Sequence, residues 1–184
     1  GMNRTLTILL TATIGWFLQG CNPKATAQAS KEELTIAFYN QENLFDTEDD
    51  PVKNDNEFLP SANKNWSVER YQKKLQNMAK VIAQIGNQGP DVLGVCEIEN
   101  DKVLADLCKQ EVLKAGNYGF IHFEGPDDRS IDVGLLYKQS RFRPLKSVPI
   151  SMAMPDDPEF ITRDVLMVEG ILEKDTVTFF VNHW

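Results

Sequence analysis

The chain is short of positive charge, of cysteine and of long apolar runs. Its 184 residues carry 19 Lys and Arg against 27 Asp and Glu, a net charge of −8. Such a surface repels polyanions, which argues against a broad nucleic-acid-binding face. It still permits a cleft in which cations neutralise charge locally. Of the three cysteines, Cys96 falls in an apolar strand and Cys108 on the helix after it. They read as buried free thiols rather than a disulfide. The apolar stretch Leu6 to Leu18 is too short to cross a bilayer comfortably. The sequence has no internal repeat.

That stretch follows a short basic segment, Met2-Asn3-Arg4, and leads into Leu18-Gln19-Gly20-Cys21. The order resembles a bacterial lipoprotein signal. The expectation is a signal peptide over residues 2–20, lipidation at Cys21 and a polar tether over 21–33. A lipid-anchored location in the bacterial cell envelope follows, with the membrane as a partner. Residues 34–184 remain for a single domain.

Within that domain the apolar pattern alternates strand and helix, then turns to strands alone. Leu34 to Tyr39 reads as a strand ended by Asn40, and Ser67 to Ile85 as a helix with Ser67 as its N-cap. Tyr71, Leu75, Met78, Ile82 and Ile85 share one apolar helix face, with Arg70, Lys73, Lys74 and Lys80 on other faces, most of them read as a solvated basic face. Lys102 to Lys114 reads as a second helix, stopped by Gly116. Strands are expected over 118–123, 131–137, 142–150, 165–172 and 176–182. The fold class is α/β (α+β), a mixed β-sheet with packed helices. Between Asn43 and Lys64 lies a long polar loop, whose Asp46, Glu48, Asp49 and Asp50 read as solvated rather than as a second metal site.

The segment from Asp91 to Asn100 carries the most chemistry. An apolar run through Val95 predicts a buried parallel strand, yet the strand ends in Glu97 and Glu99. Ligands of open α/β sheets bind at the carboxyl ends of strands. A carboxylate there suits a hard cation, and a hard cation suits phosphate chemistry. Asn40, Arg129, Asp132 and His183 also fall at strand ends, so these groups converge if the ends share one edge. Each has a plainer reading: Asn40 as a turn cap, Arg129 with Asp132 as an ion pair, His183 as a chain-end residue. His122, alternating within a strand, reads as structural.

Four segments in order then resemble the endonuclease/exonuclease/phosphatase superfamily: Tyr39-Asn40-Gln41-Glu42-Asn43-Leu44-Phe45-Asp46, Asp91 to Asn100, Arg129-Ser130-Ile131-Asp132-Val133-Gly134-Leu135-Leu136-Tyr137, and Val181-Asn182-His183-Trp184. The resemblance implies a metal-dependent phosphoesterase with nuclease-like hydrolysis of phosphodiesters or phosphomonoesters. Glu97 would bind the divalent metal, Mg²⁺ or another hard cation such as Mn²⁺ or Ca²⁺. Asn40 would sit beside it, His183 would contact the scissile phosphate, and Arg129 and Asp132 would line the substrate cleft. Glu99 would be a surface residue. The implied partner is a phosphate-ester substrate, nucleic acid among the candidates.

Cys96 stands where the family usually has Gln, and Ser130 where its bacterial branch often has Gly. The family's later Gly-Asp and Ser-Asp-His motifs are not in this sequence. The expectation is therefore the first half of a four-layer α/β/β/α sandwich, truncated on its C-terminal side. Its inner sheet face would be bare and the fragment inactive by itself. Two alternatives accompany this reading: a phospholipid or inositol-phosphate phosphoesterase, and a non-catalytic binding or structural lipoprotein.

Overall fold

A computed structural model describes residues 33–152, 156–157 and 162–183. The expected signal peptide, most of the tether and Cys21 lie outside the described residues. Strands β1 (Ile36–Leu44), β2 (Val92–Ile98), β3 (Tyr118–His122) and β4 (Asp132–Lys138) form one sheet in the order β1-β2-β4-β3. β1 runs parallel to β2, and β4 is antiparallel to β2 and to β3. Strands β5 (Phe142–Ile150), β6 (Val165–Leu172) and β7 (Asp175–Val181) form a second, antiparallel sheet. Mixed α/β with two sheets is thus the observed class.

Helices α1 (Val68–Ala83) and α2 (Asp101–Cys108) cover one face of the first sheet. Ser67 caps α1 by accepting from the Arg70 N–H. Tyr71, Leu75, Ala79 and Ile82 are its buried face, meeting Leu93, Val95 and Ile98 of β2 and Leu136 of β4. α2 is shorter than its apolar pattern suggests. It ends at Cys108, and a 3-10 turn over Glu111–Gly116 buries Leu113 where the helical reading placed Val112.

The opposite face of the first sheet packs on the second. Val92, Cys96, Val133 and Leu135 meet Phe142, Leu166, Val168, Leu172 and Val181. This corrects the expectation of a bare inner face, because β5 to β7 already supply a covering layer. The cover stops short of β1, where Ile36 and Phe38 stay more than half exposed. A Cβ at Gly94 would lie 3.1 Å from the Phe38 ring and 3.4 Å from Val181, so the two sheets approach here only over glycine. Cys96 and Cys108 are both free thiols, as expected.

Candidate active site

β2 alternates between its two faces until Cys96 and then breaks step. Cys96 pairs with Val133 and Ile98 with Asp132, so Glu97 is one residue too many for the partner strand. It adopts φ +55, the left-handed conformation of a bulge. The bulge keeps Ile98 on the helix side with Leu93 and Val95. An unbroken strand would have aimed Glu97 into that apolar layer. β1 is irregular at the same level, between Asn40 and Leu44, with Glu42 and Asn43 at positive φ. It therefore runs on past Asn40, where the sequence suggested an end.

Three expected residues come together here. Asn40 Nδ2 donates to Glu97 Oε1 at 2.8 Å, and His183 Nε2 lies 3.3 Å from the same oxygen. Asn40 is itself held, its Oδ1 accepting the Glu42 N–H at 2.6 Å. His183 follows β7, so the second sheet contributes to a site begun on the first. Its Nδ1 is buried without a hydrogen-bond partner among the described residues, which leaves one ring nitrogen uncommitted.

Arg129 lies nearby but does not pair with Asp132. Its Nε and Nη2 fork onto the two oxygens of Asp127 at 3.1 and 2.9 Å. Those hydrogen bonds, then the Asp127 charge, raise the guanidinium pKa against a small opposing effect of burial, and the Glu97 charge adds to the rise. Arg163 approaches the same carboxylate, with Nε 3.8 Å from Asp127 Oδ2. Burial pushes the Asp127 carboxyl up, but the hydrogen bonds and charges of Arg129 and the charge of Arg163 win and hold it low. Burial pushes the Cys96 thiol up to about 11, Glu97 adding to the rise and Arg163 opposing it. Asp127 thus orients Arg129, which feels the Glu97 charge, and draws Arg163 toward the same carboxylate.

Asp127 and Arg163 escaped the sequence reading because neither sits in a recognisable motif. Lys74 escaped it too. Its Nζ donates to the Glu42 carbonyl at 2.5 Å, and burial lowers its pKa against the charges of Glu42 and Glu97.

Asp132 joins a second cluster. It is buried, accepts the Gly125 N–H at 3.1 Å and faces His122 Nε2 at 3.3 Å. His122 Nδ1 meets Asp101 Oδ1 at 2.8 Å, at the start of α2. The ring is a pin between two elements. Glu99 is a correction: it is 2% exposed, not a surface residue. Its Oε2 accepts the Asp46 N–H at 2.7 Å, and burial pushes its carboxyl up to about 8. Asp46 is buried as well, paired with Lys102 at 2.9 Å, so one member of the acidic loop is a structural anchor.

A hard divalent cation fits the trio. The Oε2 of Glu97 has no hydrogen-bond partner among the described residues, and its side chain is partly open to solvent. Mg²⁺ is commonly held by one or two carboxylates, completing its shell with water and phosphate oxygens. His122, Glu124 and Asp132 also offer three ligand atoms within 4.8 Å of one another. There the imidazole is already engaged by Asp101 and Asp132.

Several solved structures are similar to this chain at low identity. Humanized D. rerio TDP2 is 17% identical with a TM-score of 0.49, over 80% of this chain and 45% of its own. ANGEL2, a 2′,3′-cyclic phosphatase, is 12% identical with a TM-score of 0.49, over 79% and 39%. A Bacteroides thetaiotaomicron mannosyl-6-phosphatase is 16% identical with a TM-score of 0.49, over 80% and 50%. The chain therefore spans half or less of the length of each. No curated protein matches the sequence. The model of the endonuclease/exonuclease/phosphatase family matches residues 35–184, and the chain belongs to that family.

Proposed function

We propose that this chain carries the metal-side half of a phosphoesterase site, with Glu97 as the ligand of a divalent cation. The observation behind the reading is the meeting of Asn40 and His183 on one oxygen of Glu97 while the other oxygen stays uncommitted. When bound, the cation would withdraw charge from the phosphate and favour a hydroxide-like nucleophile. Asn40 holds the Glu97 carboxylate in place. His183, with an unpartnered Nδ1, is placed to contact a phosphate oxygen or hold a proton there. Arg129, fixed by Asp127, binds a non-bridging oxygen and stabilises its charge, with Arg163 adding its charge from beside the same carboxylate. Water adds to phosphorus, the ester P–O bond breaks, and the alcohol leaves with a proton.

The similar solved structures named for phosphatase activity agree with this class. The lipoprotein reading belongs to the same proposal: Leu18-Gln19-Gly20-Cys21 supports an envelope protein anchored through Cys21. Incorporation of labelled palmitate that is lost on Cys21→Ser would support it, and incorporation that survives the substitution would refute it.

The direct test is hydrolysis of bis(p-nitrophenyl) phosphate and p-nitrophenyl phosphate with Mg²⁺ or Mn²⁺, beside Mn²⁺ binding followed by electron paramagnetic resonance. Glu97→Gln is expected to abolish Mn²⁺ binding, and with it whatever turnover this half-site supports. Turnover that is indifferent to metal or to Glu97 overturns the reading.

A further inference from the structure

The long loop after β1 and the loop between β3 and β4 enclose a pocket of about 320 Å³ beside the candidate site. Asn43, Asn54, Glu57, Phe58, Lys64 and Arg129 supply most of its wall. Arg129 also feels the Glu97 charge, so the pocket and the phosphate side share a residue. The two loops are tied together. Asn54 N donates to the Asp128 carbonyl at 2.6 Å, and Lys53 Nζ donates to the carbonyls of Gly125 and Asp127 at 2.7 and 2.9 Å. Trp66 Nε1 donates to the Phe45 carbonyl at 3.0 Å and holds the other end of the long loop. These bonds preform the pocket, which is the usual state of a small-molecule site.

Its chemistry selects among phosphate esters. Amides from Asn43 and Asn54, the Glu57 carboxylate and Lys64 ammonium paired with each other at 2.6 Å, and the part of the Arg129 guanidinium that Asp127 leaves open offer both donors and acceptors. Hydroxyl groups, which donate and accept at once, match such a wall. A nucleobase needs an open aromatic face to stack on. Phe58 has none: Phe45 stacks on its ring at 4.0 Å between centroids, and Lys64 Nζ sits 4.2 Å from its centroid.

Resting on the phosphoesterase reading, we propose that this pocket is the subsite for the alcohol moiety of the substrate. It takes a polyhydroxylated, sugar-sized group rather than a nucleoside. Asn43 reads the hydroxyls from the β1 side and Glu57 from the loop side, while Arg129 bridges to the phosphate.

The test measures binding of three probes to the full chain in magnesium buffer by calorimetry: glucose 6-phosphate, adenosine 5′-monophosphate and inorganic phosphate. The sugar phosphate is expected to bind at least tenfold tighter than the nucleotide. Glu57→Gln lies on an exposed 3-10 turn, and Asn43→Gly suits φ +61, so both variants keep the fold. Each is expected to raise the ratio of the glucose 6-phosphate Kd to the phosphate Kd about tenfold. An unchanged ratio in both variants, or tighter nucleotide than sugar binding, overturns the subsite. Ester hydrolysis with an unchanged ratio removes the subsite and keeps the phosphoesterase. A ratio that moves while Mn²⁺ binding is indifferent to Glu97→Gln keeps the subsite and removes the phosphoesterase.

Discussion

Asn40 donates to Glu97 across 57 residues of sequence, at 2.8 Å, between parallel strands β1 and β2. The bond exists because a bulge turns Glu97 away from the helix layer toward Asn40. Removing the amide should free the carboxylate. Asn40→Ala is expected to lower kcat/KM for ester hydrolysis by roughly 10- to 100-fold, the cost of a lost hydrogen bond to a charged group. Steady-state kinetics with circular dichroism as a fold control would check it.

Asp127 acts through the guanidiniums it holds. Asp127→Asn removes one acceptor oxygen and the charge that fixes Arg129 and Arg163. KM for p-nitrophenyl phosphate should rise about tenfold with a smaller change in kcat, since substrate capture suffers more than the chemical step. Separate kcat and KM values would distinguish this from a loss of folded protein, which lowers kcat alone.

His122 makes stability depend on pH. Burial of its ring lowers the pKa, but hydrogen bonds to Asp132 and Asp101, with the charges of Asp132 and Glu124, outweigh that and raise it above 6.5 in the folded chain. A raised folded pKa contributes stability that is complete below about pH 6.5 and lost as pH rises through the folded value. The wild-type urea midpoint should therefore fall between pH 6 and pH 8.5. In His122→Gln this component should be missing, and the profile should be flatter.

Trp66 pins the long loop to the core through its indole N–H and the Phe45 carbonyl. Both groups are buried, so Trp66→Phe strands an acceptor. A loss of roughly 1–3 kcal/mol is expected. Proteolysis within residues 46–64 should accelerate in parallel, which limited digestion with mass spectrometry would show.

Much of the architecture was legible in the sequence, because its signals are local. The 3–4 spacing of Tyr71, Leu75 and Ile82 specifies a helix face whatever it packs on, and Ser67 marks its start. The apolar run through Val95 specifies a strand buried on both faces. α2 was overread because Val112 continues the helical spacing by chance, while packing chose Leu113. Asn40, Glu97 and His183 were legible as polar ends of strands. Their meeting was only inferred, since it needs two sheets to align.

What the sequence determined by itself was most of the strands and helices and the placing of Glu97 and His183 at the carboxyl ends of β2 and β7. These follow from periodicity, which each segment carries alone. Tertiary structure decided partners. It buried Glu99 against Asp46, moved Asp132 to His122, and joined Arg129 and Arg163 through Asp127. Charge pairing depends on distances of a few ångströms between residues far apart in the chain, and no local pattern encodes them.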